Sequence, residues 1–518
     1  MRILLTLLLL SLLCTCDRAR ETEAGSMAKR PNILFLFTDD HAIDAVGALG
    51  NDLIQTPNLD RIFRRGTTFT HAYNMGAWQP AVCLASRAML NTGKSVWRAQ
   101  ELDRRARAGD STAMADNWGP RLQRAGYATY FSGKWHVAAP AETQFETVGT
   151  VRPGMPADGY PFGEVIALKT RHAPGRPPLD SLRALFPPGY NRPLSPDDGS
   201  WDAANPAYEG FWAGGKHWSE VVADEGVEFL AAAATEERPF FMYLAFNAPH
   251  DPRQAPREYL ERYRLEDMPV PASFQPRYPY DEAMGAGPGL RDEDLAPFPR
   301  TELAVRVHTR EYYALITHLD AQVGRILAAL DATGKADNTV IIFTADHGLA
   351  VGKHGLLGKQ NLYDHSVRVP LAISGPGFPA GKRVEADVYL QSIMPTTLEL
   401  AQTGGEEQPP GRAVPEPAER VRGEVEFPSL LPIVKETDAG LEAVYGAYTD
   451  KQRSVRKDGW KLIVYPEAGV RRLYHVRDDP GERIDLLAAT PPPGKVGELR
   501  AELARLQREM GDPLILPE

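Results

Sequence analysis

A chain of 518 residues with a formal net charge of -10 and an ordinary globular composition can bury a large core, and its length suggests roughly two to four domains. No long Lys/Arg block exists to displace counterions from phosphates, which excludes broad nucleic-acid binding. Any anion site must be local.

Met1 and Arg2 precede an apolar run from Ile3 to Leu13, the charged start and short greasy core of an export signal, too short to span a bilayer. Cys14 and Cys16 follow directly, where a bacterial lipoprotein carries its lipid-attachment cysteine. Residues 1–16 therefore read as an export or lipoprotein signal, with a lipid anchor as one option. In a bacterium this implies a periplasmic or outer-membrane lipoprotein location. An ordinary cleaved signal, or a start at Met27, is the competing reading. Of the three cysteines only Cys83 lies beyond this segment. No intramolecular disulfide can then form in a compartment that would permit one, and the leftover thiol needs a reason.

Pro31 to Thr38 is a continuous apolar run ending in Asp39 and Asp40, the look of a buried parallel strand that delivers polar residues at its carboxyl end. Ala128 to Ser132, Pro239 to Phe246 and Thr339 to Thr344 repeat the pattern. They are followed by Lys134 and His136, by Asn247 and His250, and by Asp346 and His347. Thr301 to Thr333 separates the last two, with Leu315, Leu319, Val323, Ile326, Leu327 and Leu330 at helical spacing. Strands alternating with helices predict an α/β fold with a large, mostly parallel sheet flanked by helices. Ligands of such sheets sit beyond the strands' carboxyl ends. Arg152 to Gly215 and Pro269 to Arg300, rich in Pro and Gly, read as long surface loops over that edge. Residues 404–424 read as a linker between a catalytic unit, 28–403, and a smaller one, 425–518. In the latter, Ser454 to Lys457, Trp460 to Tyr465, Arg472 to Val476 and a helix from about Lys495 to Met510 predict a small antiparallel sheet with a covering helix.

Cys83-Leu84-Ala85-Ser86-Arg87, with Thr92-Gly93 beyond it, is the sharpest motif. It resembles the signature of the type I sulfatase family, of the alkaline phosphatase superfamily, in which the cysteine is oxidised to formylglycine. The rest of the family's pattern appears in order: Pro31-Asn32-Ile33, Asp39-Asp40, Thr56-Pro57-Asn58-Leu59-Asp60, Gly133-Lys134-Trp135-His136, Ala248-Pro249-His250, Thr344-Ala345-Asp346-His347-Gly348, Gly358-Lys359 and Asp478-Asp479-Pro480-Gly481-Glu482. The resemblance implies an alkaline-phosphatase-like α/β fold and hydrolysis of sulfate esters. It also implies maturation by a formylglycine-generating or radical enzyme.

By the same resemblance Asp39, Asp40, Asp346 and His347 hold calcium beside Cys83, as hard carboxylates suit that ion, although imidazole is a softer donor than calcium prefers. Arg87, Lys134 and Lys359 are the cations aimed at charge that develops during S–O cleavage, and His136 and His250 the proton carriers. An unmodified serine would be left as a sulfate ester with no second hydroxyl to drive release, hence the modified cysteine. Long rim loops on an exported enzyme suggest a sulfated saccharide, with other sulfate esters open. A phosphonate monoester or phosphodiester hydrolase of the same superfamily is the alternative, and a non-catalytic glycan binder a more distant one.

Overall fold

The computed structural model describes residues 30–402, 426–488 and 492–517. The expected signal, 1–16, and linker, 404–424, lie outside them. The four predicted strands are β1 (Asn32–Thr38), β4 (Ala128–Lys134), β6 (Phe240–Ala245) and β7 (Thr339–Ala345). They lie side by side and parallel in the order β7, β1, β6, β4. β5 (Thr147–Arg152) extends this sheet in parallel beyond β4. On the other side β8 (Arg368–Ser374) runs antiparallel between β7 and β2 (Thr67–Tyr73). The short β9 (Arg383–Val384) and β10 (Val388–Tyr389) both join β2 in parallel.

Patterning alone missed β2, β5 and β8. Pro370 interrupts β8, and proline cannot donate to a ladder. The sheet answers with a register shift in β2 between Phe69 and Ala72, opposite that residue, which is what a bulge accommodates.

Alternation along β1 feeds two cores. Leu34 and Leu36 pack with Met242 and Leu244 under the helix Glu302–Ala332, through Leu315, Leu319, Val323, Ile326 and Leu327. Ile33, Phe35 and Phe37 face the opposite core with Phe241, Tyr243 and Trp118. That 31-residue helix is capped by Thr301, whose hydroxyl accepts from the Ala304 N–H at 3.1 Å. No helix among the described residues is long and apolar enough to cross a membrane.

The smaller sheet is antiparallel through β11 (Val444–Tyr448), β12 (Gln452–Lys457), β13 (Trp460–Tyr465) and β14 (Val470–His475), and the helix Lys495–Met510 packs against it. It is not self-contained. β3 (Gly76–Ala77), seven residues before Cys83, adds a parallel edge strand to β11. Gly76 has φ 95°, and a Cβ there would lie 1.9 Å from the Ala447 carbonyl oxygen, so only glycine allows this contact. Leu430, Leu431, Ile433 and Val434 meanwhile pack into the large sheet's core. The Arg152 to Gly215 stretch also differs from expectation. It holds the helices Phe162–His172 and Leu179–Arg183, with Val165, Leu168 and Leu182 forming a small core of their own.

Candidate active site

The sequence-predicted residues converge at the carboxyl edge of β1, β4, β6 and β7. Asp39 and Asp40 leave β1, Asp346 and His347 leave β7, Lys134 ends β4, and His250 follows β6. Cys83 sits in the first turn of the helix Val82–Thr92, and Arg87 is one turn later on the same face. Asp40 (φ 63°) and His136 (φ 55°) are both held in left-handed backbone, a conformation that costs energy in non-glycine residues and collects at functional sites.

Asp39, Asp40, Arg87, Lys134 and Asp346 are fully buried, and Cys83, His250, His347 and Lys359 are at most 4% exposed. Such charges survive only when paired. Lys134 contacts Asp39. Lys359 Nζ donates to both Asp40 oxygens at 2.9 Å and approaches Asp292 at 3.5 Å. Arg87 Nε donates to Asp346 Oδ2 at 3.0 Å and its Nη1 to the Lys134 carbonyl at 2.8 Å, with the guanidinium 4.6 Å from the Phe37 ring centre. Its Nη2 is buried without a partner, a donor left free for an anion.

The metal ligands named from the sequence come together. His347 Nδ1 donates to the Gly348 carbonyl at 2.9 Å, which turns Nε2 inward. Nε2 lies 3.2 Å from Asp40 Oδ1, 3.5 Å from Asp346 Oδ1, 3.9 Å from Asp39 Oδ1 and 3.4 Å from Cys83 Sγ. Asp39, Cys83, Asp346 and His347 place ligand atoms within 4.8 Å of one another, as do Asp39, Asp40, Cys83 and His250. The cluster is short of positive charge. Burial opposes protonation of His347, yet Asp346 and Asp40 outweigh it and push its pKa up to about 10. Burial holds Asp40 well above the usual carboxylate range despite Lys359 and His347, and Asp39 Oδ1 has no hydrogen-bond partner. These donors fit a bound cation, which would displace the proton from His347.

The two histidines read from the sequence as proton carriers both lie near the cluster's charges. His250 Nδ1 donates to the Asp251 carbonyl at 2.8 Å, and Nε2 accepts from Lys359 Nζ at 3.0 Å. Burial, then Lys359, keeps this imidazole neutral, its pKa well below the ordinary value. His136 is depressed to about 3, by burial first and then by Lys134 and Arg87, and its Nδ1 is buried without a partner. It is a neutral ring ready to accept a proton.

Sequence reasoning missed the supports. Asn74 Nδ2 and Ser86 Oγ both donate to the Asp346 carbonyl, at 2.8 and 2.7 Å, and fix that strand end. Arg291 joins Asp251, Asp158 and Asp292 in a buried network behind His250 and Lys359. Asp251 could have been suspected from its place beside His250. Arg291 and Asp292 lie in a Pro/Gly-rich stretch and carry no such signal. His41, His71, His354 and His365, near motif segments in the sequence, are not among the residues that converge on Cys83.

The family model described as Sulfatase matches residues 31–403. An arylsulfatase of Clostridium perfringens is 26% identical, over 92% of this chain and 94% of its own length. An N-acetylglucosamine-6-O-sulfatase of Bacteroides thetaiotaomicron is 24% identical, over 98% and 91%. Among solved structures, one in complex with its substrate D-glucosamine-2-N,6-O-disulfate superposes with a TM-score of 0.64 at 22% identity, over 94% of this chain and 99% of that one. A phosphonate monoester hydrolase from Silicibacter pomeroyi also reaches 0.64, at 21% identity over 93% and 94%. The fold is thus shared by sulfatases and phosphonate hydrolases, but the family model and the curated relatives agree: the chain belongs to the sulfatase family and is a sulfuric ester hydrolase.

Proposed function

We propose that the protein releases sulfate from a sulfated carbohydrate through a formylglycine made from Cys83, in a site that binds calcium. The observation that carries this is the placement of Cys83 Sγ, 3.4 Å from His347 Nε2 at the rim of the carboxylate cluster and one helical turn from Arg87. Once hydrated, the aldehyde supplies the attacking oxygen. Calcium held by Asp39, Asp40, Asp346 and His347 supplies the largest positive charge at that point.

The chain's own residues do the rest. Arg87, through its free Nη2, and Lys134 hold the sulfate oxygens and oppose charge that builds on them. The proton needed by the departing alcohol is held on the Lys359 and His250 pair, 3.0 Å apart. Their support is the Asp251, Arg291 and Asp292 network. His136, neutral and unpartnered at Nδ1, takes up the proton whose loss frees sulfate. A saccharide substrate is supported by the relative named for N-acetylglucosamine-6-O-sulfate and by the neighbour solved with a disulfated glucosamine.

Mass spectrometry of the Cys83 peptide after co-expression with a maturation enzyme is expected to show a hydrazide-reactive aldehyde. Full activity with unmodified cysteine would end the formylglycine reading. Rates on sulfated sugars, an aryl sulfate, a phosphodiester and a phosphonate monoester separate the sulfatase from its phosphonate or phosphodiester alternative. The amino-terminal segment supports export, with a lipid anchor at Cys14 or Cys16 as the proposal there.

A further inference from the structure

Beside the proton donors lies a cleft that the sulfur chemistry leaves unused. It encloses about 350 Å³ and is lined by Asp158, Tyr190, Arg192, Trp201, Tyr208 and Arg253, and by Asp251, the residue after His250. Asp251 and Asp158 are both bound by Arg291, which also holds Asp292 against Lys359. Asp251 also lies 3.2 Å from His250 Nδ1, so a residue of the cleft's wall touches the leaving-group end of the site.

Its walls combine apolar faces with polar groups, the make-up of a small-ligand site. Trp201 and Tyr208 stack with centroids 4.8 Å apart and 20° between planes. The Arg192 guanidinium lies 5.3 Å from the Trp201 ring, and Glu311 neutralises it. Arg291 is likewise matched by carboxylates. Arg253 is different. It is 2% exposed, and among the described residues no carboxylate pairs with it. Nη1 meets His308 Nδ1 at 2.9 Å and Nε is buried without a partner. His308 is kept neutral by burial and by Arg192 and Arg253 themselves, so it brings no counter-charge. The nearby Asp251 is already taken by Arg291 on both oxygens. Arg253 is also held in left-handed backbone, φ 49°, a cost that needs a return. A buried guanidinium with no carboxylate in direct contact is unfavourable, and an oxyanion meets its fork geometry directly.

We propose that this cleft binds the saccharide that departs as the alcohol, with Arg253 recognising an anionic group on it other than the scissile sulfate. The substrate is then an oligosaccharide with two anionic groups, the second a carboxylate or a sulfate. This rests on the sulfated-carbohydrate reading above. The stacked Trp201 and Tyr208 give the cleft an apolar wall against which the sugar ring's C–H groups can pack.

The test compares wild type with Arg253→Gln and Trp201→Ala on four substrates: nitrophenyl sulfate, a monosulfated neutral disaccharide, the same with a uronate, and a disulfated disaccharide. Arg253→Gln is expected to raise KM for the dianionic saccharides about 10- to 100-fold, as loss of a charged hydrogen bond does. It should leave kcat/KM on nitrophenyl sulfate within about twofold. The uronate and the disulfated arms show which oxyanion is preferred. Equal losses on all four substrates, or none, would overturn the proposal. Should Arg253→Gln fail to fold, Trp201→Ala must show a loss on all three disaccharides and none on nitrophenyl sulfate. Calorimetric titration with an unsulfated uronate disaccharide needs no turnover and is expected to show binding that Arg253→Gln weakens at least about tenfold. Such binding without hydrolysis of any sulfated saccharide would remove the carbohydrate reading and leave the cleft. Hydrolysis of sulfated saccharides with no preference for a second anion would do the reverse.

Discussion

The carboxyl edge of the large sheet and the seam between the two sheets are both buried and polar, yet their polar groups are satisfied differently. In the seam, four tyrosine hydroxyls close on one another. Tyr278 meets Tyr363 at 2.8 Å and Tyr465 at 3.0 Å, and Tyr363 meets Tyr474 at 2.7 Å. At the edge, Asp39 Oδ1, Arg87 Nη2 and His136 Nδ1 are buried with no partner. A closed network stabilises and specifies, whereas unfilled donors and acceptors beside strained backbone mark a place built for something else. Substitutions at the edge should therefore cost activity and little stability, and changes in the seam the reverse.

The largest effect is expected from Asp346→Ala, which removes a proposed calcium ligand and the partner of Arg87 together. Its kcat/KM should fall by about 10³-fold or more, the worth of several kcal/mol of charge stabilisation. Because it also leaves the buried Arg87 unpaired, Asp346→Asn, which keeps an acceptor there, is the variant expected to lose activity with the thermal midpoint largely kept. Chelation should do the same to wild type, and calcium should restore turnover better than zinc. Rescue by zinc alone would show that the imidazole of His347 had been the better guide to the metal.

His250→Ala sharpens the comparison within the edge. General acid catalysis is worth about 10²- to 10⁴-fold when the leaving group needs a proton. A sugar alkoxide needs one and a nitrophenolate barely does, so the loss should fall on the sulfated sugar, mainly in kcat. His136→Ala should slow both substrates alike. Equal losses for His250→Ala on both leaving groups would move the proton donor to Lys359.

The seam should respond to pH through stability. His354 stacks on Tyr363 at 4.1 Å, and burial, only partly offset by its bond to the Gly481 carbonyl, lowers its pKa from 6.5 to about 4. Between these values the unfolded chain binds a proton that the folded chain refuses. The contribution is therefore complete above about pH 6.5 and is lost as pH falls towards 4, about 3 kcal/mol in all. Urea unfolding of wild type and His354→Gln across that range should differ in slope. Identical slopes would remove His354 from the account.

Tyr363→Phe should have the smallest effect. It leaves the Tyr474 hydroxyl without its tyrosine partner while Tyr278 keeps Tyr465, a cost of about 1 to 3 kcal/mol, and should not change kcat. A fall in activity without a fall in stability would mean that the seam positions Lys359, four residues earlier in the chain, and would blur the distinction between the two regions.

Much of the site was legible because parallel strands deliver their polar residues at one edge. Apolar runs followed by Asp39-Asp40, Lys134, His250 and Asp346-His347 announced both the sheet and the edge where these residues converge. Proximity was another matter. Asp40 and Lys359 are 319 positions apart and share a hydrogen bond, and Arg291 reaches Asp251 from a stretch with no periodicity at all.

By itself the sequence determined the family and the sheet's direction, and it supplied the residues proposed as nucleophile and cations, because each depends on local residue type and spacing. Only the tertiary structure decided which valences stay unfilled: the Nη2 of Arg87, the Nδ1 of His136 and the Nε of Arg253. Pairing is a property of what packs around a group. Residues hundreds of positions away supply it, and no local pattern records whether they arrive.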